Sequence, residues 1–182
     1  MAAARILLVY HSDEGQTEKV AHRIEEVFER HGARVSCLDV SNAPPPVGHE
    51  LVVLGDSIHV GSHSKELERY LRTHRQQLAA QPLAMFQVSM TSSYDDEEHD
   101  TLAHDMFHDL ASDTGVDPAM VGLFAGALAY TRYGWFKRKL MQRIASSEGG
   151  DTDTSVDHEY TDWEAVEQFA LDALSLAGVD TD

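Results

Sequence analysis

Apolar residues in this chain gather into short runs bounded by turn formers, and between the runs they recur every three or four positions. The runs Arg5–Tyr10, Arg34–Asp39, Leu51–Gly55, Leu83–Ser89 and Val121–Leu128 predict strands. The first helical pattern opens at Glu18, carries Val20, Ile24, Val27 and Phe28 on one face, and closes at His31-Gly32. A second covers roughly Ser64–His74 and a third His99–Ser112. The last spans Asp162–Leu176, with Asp162 or Thr161 as N-cap and Trp163, Val166, Phe169, Ala170 and Ala173 facing inward. Pro44-Pro45-Pro46 makes 42–47 an extended connector without strand capacity.

Strands alternating with helices imply a parallel sheet covered on both faces. The expected fold is α/β, a three-layer sandwich around a five-stranded parallel sheet of order 2-1-3-4-5. All 182 residues are expected in one domain, with 130–160 inserted between strand five and the last helix. In this strand order the switch point lies between strands one and three, and ligands bind beyond the carboxyl ends there. Three loops therefore converge on one place. His11–Thr17 joins a strand to a helix start, where unpaired N–H groups and the helix dipole favour an anion. Ser12 and Thr17 add hydroxyls, and Gly15 permits a tight turn. The loop has neither GxxxxGK[ST] nor GxGxxG and no Lys or Arg, so a single phosphomonoester such as that of FMN suits it best. Ser57, Ile58, His59, Val60 and Gly61 follow strand three and can lie along a flavin ring. Met90, Thr91, Ser92, Ser93 and Tyr94 follow strand four and offer donors and one aromatic face.

Thirty-one acidic against fourteen basic residues give a net charge of −17, which argues against a nucleic-acid partner. Carboxylate surplus of this size raises self-repulsion that counter-ions must screen, the pattern of a protein suited to concentrated salt. No run approaches the roughly 20 apolar residues of a membrane span, and Met1 to Arg5 leads into a strand without a signal-peptide core, so a cytoplasmic location is expected. The single cysteine, Cys37, reads as a buried structural thiol.

Several strings tighten this reading. Ser12-Asp13-Glu14-Gly15-Gln16-Thr17, the run from Gly55 to His63, Ala125 to Phe136, Gly149-Gly150-Asp151-Thr152-Asp153-Thr154 and Tyr160 to Glu164 together resemble the flavodoxin superfamily. More narrowly they resemble the menaquinone-dependent protoporphyrinogen IX dehydrogenases, the flavodoxin-like protoporphyrinogen oxidases. The resemblance implies FMN held by Ser12 to Thr17, by Ser57 to Gly61 and by the loop opening at Met90, Thr91 and Ser92; the acids from Asp151 to Asp157 read mainly as a solvated loop, with Asp153 the one placed to help close the flavin site. It also implies oxidation of protoporphyrinogen IX and menaquinone as electron acceptor. Glu14 stands where carrier flavodoxins place a hydroxyl, although the dehydrogenase family is similar in having an acid there; His59 and Val60 stand where a basic and an aromatic residue are usual in the enzyme, and Asp95 to Glu98 replaces a basic stretch.

Charge is segregated. Pro118 to Ser147 contains no acidic residue, while Arg132, Lys137, Arg138, Lys139 and Arg143 carry over a third of the positive charge. Tyr133, Phe136, Leu140 and Ile144 recur at helical spacing, with Tyr130 and Trp135 nearby. This segment can rest on an anionic membrane surface, meet the propionates of a tetrapyrrole, or dock on its own domain. His104-Asp105-Met106-Phe107-His108 imitates a zinc motif, but Asp is one methylene short of the required Glu and no third ligand is evident, so no metal is expected. No side chain stands out as catalytic base. A soluble electron carrier and an FMN quinone reductase with another donor are the alternatives, and the oligomeric state is open.

The acidic surplus makes a first prediction. Molar potassium chloride should raise the melting temperature above its low-salt value, and by more than sucrose at matched viscosity does; a melting temperature indifferent to salt would refute the repulsion argument.

Overall fold

The computed structural model describes residues 3–59, 61–90, 92, 97–128, 142, 145–146, 153, 155 and 157–180. Strands β1 (Arg5–Tyr10), β2 (Arg34–Asp39), β3 (Leu51–Ser57), β4 (Leu83–Ser89) and β5 (Met120–Ala125) form a parallel sheet in the order β2-β1-β3-β4-β5. Ile6 lies opposite both Val35 and Leu51, Val53 opposite Ala84, and Phe86 opposite Gly122. Every residue of β3 and β4 is buried, which is why these segments are apolar without alternation.

Successive strand residues point to opposite faces and so feed two cores. On one face Ile6, Leu8, Val53, Phe86 and Phe124 pack against α1 (Gln16–Arg30) and α4 (Trp163–Leu176) through Ile24, Phe28, Val166 and Phe169. On the other, Leu7, Val9, Val52, Leu54 and Met85 meet α2 (Lys65–Leu78) and α3 (Glu97–Thr114) through Leu67, Leu71, Phe107 and Leu110. The expected three-layer order is the observed one.

Several boundaries differ from the sequence expectation, among them those of α3, which runs from Glu97 to Thr114 rather than from His99 to Ser112. Helix α1 starts at Gln16, two residues early, because Gly15 at φ 91° turns the chain directly into the helix. Helix α2 continues past His74, whose φ of −109° and ψ of 16° mark a kink rather than an end. Strand β3 extends to Ser57, drawing Asp56 into the sheet. The fifth run breaks at Gly126: its N–H bonds Ser89 at 3.0 Å as the last contact with β4, and its carbonyl receives Tyr160 N–H at 3.1 Å. Beyond that switch β6 (Ala127–Leu128) pairs antiparallel with β7 (His158–Glu159). The insert therefore leaves and rejoins the domain through a two-residue ribbon. Asp162, not Thr161, caps α4, its Oδ1 accepting from Glu164 N–H at 3.0 Å and Ala165 N–H at 3.1 Å.

Close packing makes two glycines indispensable. A Cβ on Gly55 would lie 2.1 Å from Phe86 Cζ, and one on Gly122 would lie 2.7 Å from Phe169 Cδ2. Gly55→Ala should thus destabilise the fold by roughly 1–3 kcal/mol, the usual cost of overpacking a core. Gly126→Ala, where a Cβ would meet only ordinary contacts from 3.5 Å, is the control. Urea midpoints of the two variants decide the point: equal midpoints would show that Phe86 moves aside freely.

Candidate functional site

The sheet brings the first two predicted loops together at its carboxyl edge. His11 N–H, the first residue beyond β1, bonds the Gly55 carbonyl of β3 at 2.9 Å. In the phosphate loop Ser12 Oγ accepts from Gly15 N–H at 3.0 Å, closing the turn while leaving its own proton to donate. The N–H groups of Gln16, Thr17 and Glu18 begin α1 and have no acceptor within the helix. Thr17 is 1% exposed and its hydroxyl has no partner. An orphaned buried hydroxyl beside helix-start N–H groups is what a phosphate oxygen completes, so the residues present fit FMN. Gln16 is also buried, but its side chain is structural: Nε2 donates to Thr161 Oγ1 at 2.9 Å, and that hydroxyl donates to the Ala125 carbonyl at 2.7 Å. The bonds tie the phosphate-loop helix to the end of β5. Glu14 is half-buried and Asp13 exposed.

The second loop is a closed hairpin. His59 and Ser62 exchange N–H to carbonyl bonds of 3.1 Å in both directions, around Gly61 at φ 72°. Ile58 N–H anchors the entry to the Val88 carbonyl of β4 at 3.0 Å. At the tip, His59 Nε2 pairs with Asp13 Oδ2 at 2.9 Å, and His11 Nε2 lies 3.4 Å from Asp13 Oδ1. One carboxylate of the phosphate loop thus links two imidazoles and latches the loops together. At the base, Asp56 is fully buried and accepts from His63 Nδ1 at 3.0 Å, Ser64 N–H at 2.8 Å and Ser64 Oγ at 2.7 Å. Ser57 Oγ is buried without a partner.

In the third loop Ser89 Oγ accepts from Ser92 N–H at 3.1 Å and lies 2.9 Å from Ser92 Oγ, turning the chain just after β4. Met90 is half-buried there. Val60, Thr91, Ser93 and Tyr94 lie outside the described residues, as do Tyr130, Arg132, Tyr133, Trp135, Phe136 and Arg138 of the insert. Asp153 is described and exposed; its Oδ1 accepts from Ser155 N–H at 2.9 Å and Ser155 Oγ at 2.6 Å. Those bonds hold its carboxyl below the usual range and serve a local turn.

Electrostatics near the phosphate loop keep neighbouring groups neutral. Burial, then the hydrogen bond to Glu18 at 3.0 Å, pushes the Tyr10 phenol up to about 12. Cys37 is half-buried rather than fully buried, and burial followed by Glu25 raises its thiol to about 12. A thiol so protonated is a poor nucleophile.

Sequence reasoning missed the Asp56–His63–Ser64 cluster and the Asp13 bridge. A charged residue embedded in the apolar run of β3 was the available signal for the first. Nothing local signals the second, because Asp13 and His59 are 46 positions apart.

The chain belongs to the flavodoxin domain family, whose pattern matches residues 7–155. It is an oxidoreductase of the flavodoxin class with FMN as cofactor, in keeping with the strand order and the phosphate loop. Among its relatives, a protein of Leishmania major named protoporphyrinogen IX dehydrogenase [quinone] is 33% identical over 175 residues, covering 94% of this chain and 75% of that one. An Escherichia coli K12 protein of the same name is 26% identical over 174 residues, covering 94% and 96%. Among solved structures, a flavodoxin from the domain Archaea superposes with a TM-score of 0.57 at 14% identity, covering 96% of this chain and 99% of that one, a likeness of fold.

Thr17 carries the cofactor prediction. Losing a hydrogen bond to a charged phosphate costs about 1.5–3 kcal/mol, so Thr17→Ala should weaken FMN about ten- to a hundredfold. Fluorescence titration of the apoprotein measures this, and unchanged affinity would move the phosphate elsewhere.

Proposed function

We propose that this protein oxidises protoporphyrinogen IX to protoporphyrin IX and passes the electrons to menaquinone, as a step of haem formation at the cytoplasmic membrane surface. The observation that carries the reading is resemblance over 94% of the chain to relatives named protoporphyrinogen IX dehydrogenase [quinone]. FMN supplies the redox chemistry, taking two electrons from the donor and giving them to the acceptor. The chain's own part is to hold and orient it: Ser12 and Gly15 to Thr17 for the phosphate, with Asp13 and Glu14 shaping that loop, Ser57 to Gly61 and Met90 to Ser92 for the ring.

The insert supports an enzyme over a carrier. Its two ends meet in the β6–β7 ribbon, and Glu159 of that ribbon pairs with Lys19 of α1 at 2.9 Å, one turn after the phosphate-binding start. The described ends of the insert, whose sequence carries the basic aromatic stretch from Tyr130 to Arg138, thus lie beside the start of α1. That stretch supplies apolar groups for a membrane or quinone and bases for the propionates of a porphyrinogen. Among the described residues no helix is long and apolar enough to cross a membrane, so the contact proposed is a surface one.

Anaerobic mixing of the FMN-loaded protein with protoporphyrinogen IX, followed by a menaquinone analogue, tests the proposal. The flavin should bleach and then recover. Trp135→Ala with Phe136→Ala should abolish liposome association and quinone-dependent turnover while sparing FMN. Arg132→Gln with Arg138→Gln should raise KM for the porphyrinogen. A flavin that never bleaches with the porphyrinogen but exchanges electrons with protein partners would make the chain a carrier.

A further inference from the structure

Outside the three loops, metal-ligating side chains meet between α1 and the edge strand β2. Glu18, His22 and Glu25 recur at i, i+4 and i+7 and so share one stripe of the helix. Cys37 of β2 packs against the same core as α1. A ring nitrogen of His22, a carboxylate oxygen of Glu25 and the Cys37 sulfur all lie within 4.8 Å of one another. His22 Nδ1 donates to Glu25 Oε2 at 2.8 Å, and the Cys37 thiol donates to the same carboxylate. One acid thus accepts two hydrogen bonds whose protons a single cation can replace. No sequence motif announces the group, because His22 and Cys37 are 15 positions apart on different elements.

The chemistry and spacing suit zinc. Tetrahedral zinc binds nitrogen and oxygen at about 2.0–2.2 Å and sulfur at about 2.3 Å, which sets its ligand atoms roughly 3.3–3.6 Å apart. Convergence within 4.8 Å therefore leaves a closing movement on the order of 1 Å. His22 is 51% and Glu25 24% exposed, so both side chains have room to make it. Sulfur and imidazole select against magnesium and calcium, which take oxygen ligands. A thiolate and a carboxylate balance the two positive charges of the ion while the imidazole stays neutral. Glu25, then Glu18, places negative charge beside the thiol, a field that opposes a bare thiolate and favours one bound to a cation. The surrounding groups are themselves positioned: Tyr10 Oη donates to Glu18 at 3.0 Å, and the Tyr10 ring meets the His22 ring edge-on at 6.1 Å.

We propose that His22, Glu25 and Cys37 form a zinc site that clamps α1 to β2, with water as the fourth ligand on the solvent side. Binding takes the proton from the thiol and releases it to solvent. The imidazole keeps one proton, moved to Nε2, and the carboxylate stays ionised. Two ligands come from the helix and one from the edge strand, so the ion cross-links the two elements. The helix so fixed is the one whose start forms the phosphate loop. Neither the site nor its test depends on the dehydrogenase reading, since none of the three ligands belongs to the flavin-holding loops.

Cobalt(II), which takes the coordination of zinc and adds colour, provides the test on the full FMN-loaded chain. Difference spectra during titration with cobalt chloride should develop a thiolate-to-cobalt charge-transfer band and the visible bands of a tetrahedral site, saturating at one ion per chain. Zinc chloride should bleach them, and magnesium chloride should not. Cys37→Ser should abolish the charge-transfer band. His22→Ala and Glu25→Gln should each weaken cobalt by at least the roughly ten- to hundredfold that losing a supporting residue costs. FMN affinity should be the same in all three variants, which separates loss of the ion from loss of the fold. Zinc at about a hundred times its dissociation constant should raise the wild-type melting temperature by roughly 5–10 °C and leave that of His22→Ala unchanged. Absence of the charge-transfer band at millimolar cobalt overturns the inference, making Cys37 a plain hydrogen-bonded thiol. A band of undiminished affinity in His22→Ala overturns it too, because the thiol then binds without the cluster.

Discussion

The site depends on one rung of the sheet, the bond from His11 N–H to the Gly55 carbonyl at 2.9 Å. It extends the β1–β3 ladder one residue beyond Tyr10 and so sets the spacing between the phosphate loop and the flavin loop. The rung forms between strands that are neighbours in space but separated by β2 in sequence, which is the meaning of the switch point. Gly55 is bare because Phe86 of the adjacent β4 occupies the space where its Cβ would sit. Core packing and site geometry therefore meet at one glycine.

From that rung the two loops are held by carboxylate–imidazole contacts of different character. Asp13 and His59 meet at a solvent-accessible tip, where screening weakens an ion pair, most of all in strong salt. Asp56 and His63 meet in the interior, where the carboxylate is satisfied by three donors and water is excluded. The exposed contact joins the two loop tips; the buried one anchors the base of the flavin loop. Thr161 completes the frame from the other side, joining Gln16 of α1 to Ala125 of β5 through one hydroxyl. The phosphate-loop helix is thereby tied to the strand from which the insert departs.

Much of the fold was legible because burial on both faces writes an unmistakable apolar run. The strands β1, β2 and β4 have the bounds their hydrophobic pattern predicts. Helix ends were less legible where chain geometry rather than side-chain pattern decides them, as at Gly15 and at the His74 kink. The break at Gly126 was invisible for a related reason. Apolar character continues through Leu128, and only the change of hydrogen-bonding partner from Ser89 to Tyr160 ends the strand.

The sequence by itself determined the layer architecture, the phosphate loop and the acidic surplus, since periodicity, helix-start chemistry and charge are local or additive properties of the chain. It also brought Ser12, Gly15 and Thr17 to one helix start, because a strand, a turn and a helix in succession bring those residues together. Tertiary structure alone decided that Asp13 binds His59, that Asp56 is buried on His63, and that Nε2 and the Thr17 hydroxyl are left without partners. Such facts are relations between segments joined only when the sheet closes. Desolvation then settles which polar groups find partners and which are left without one.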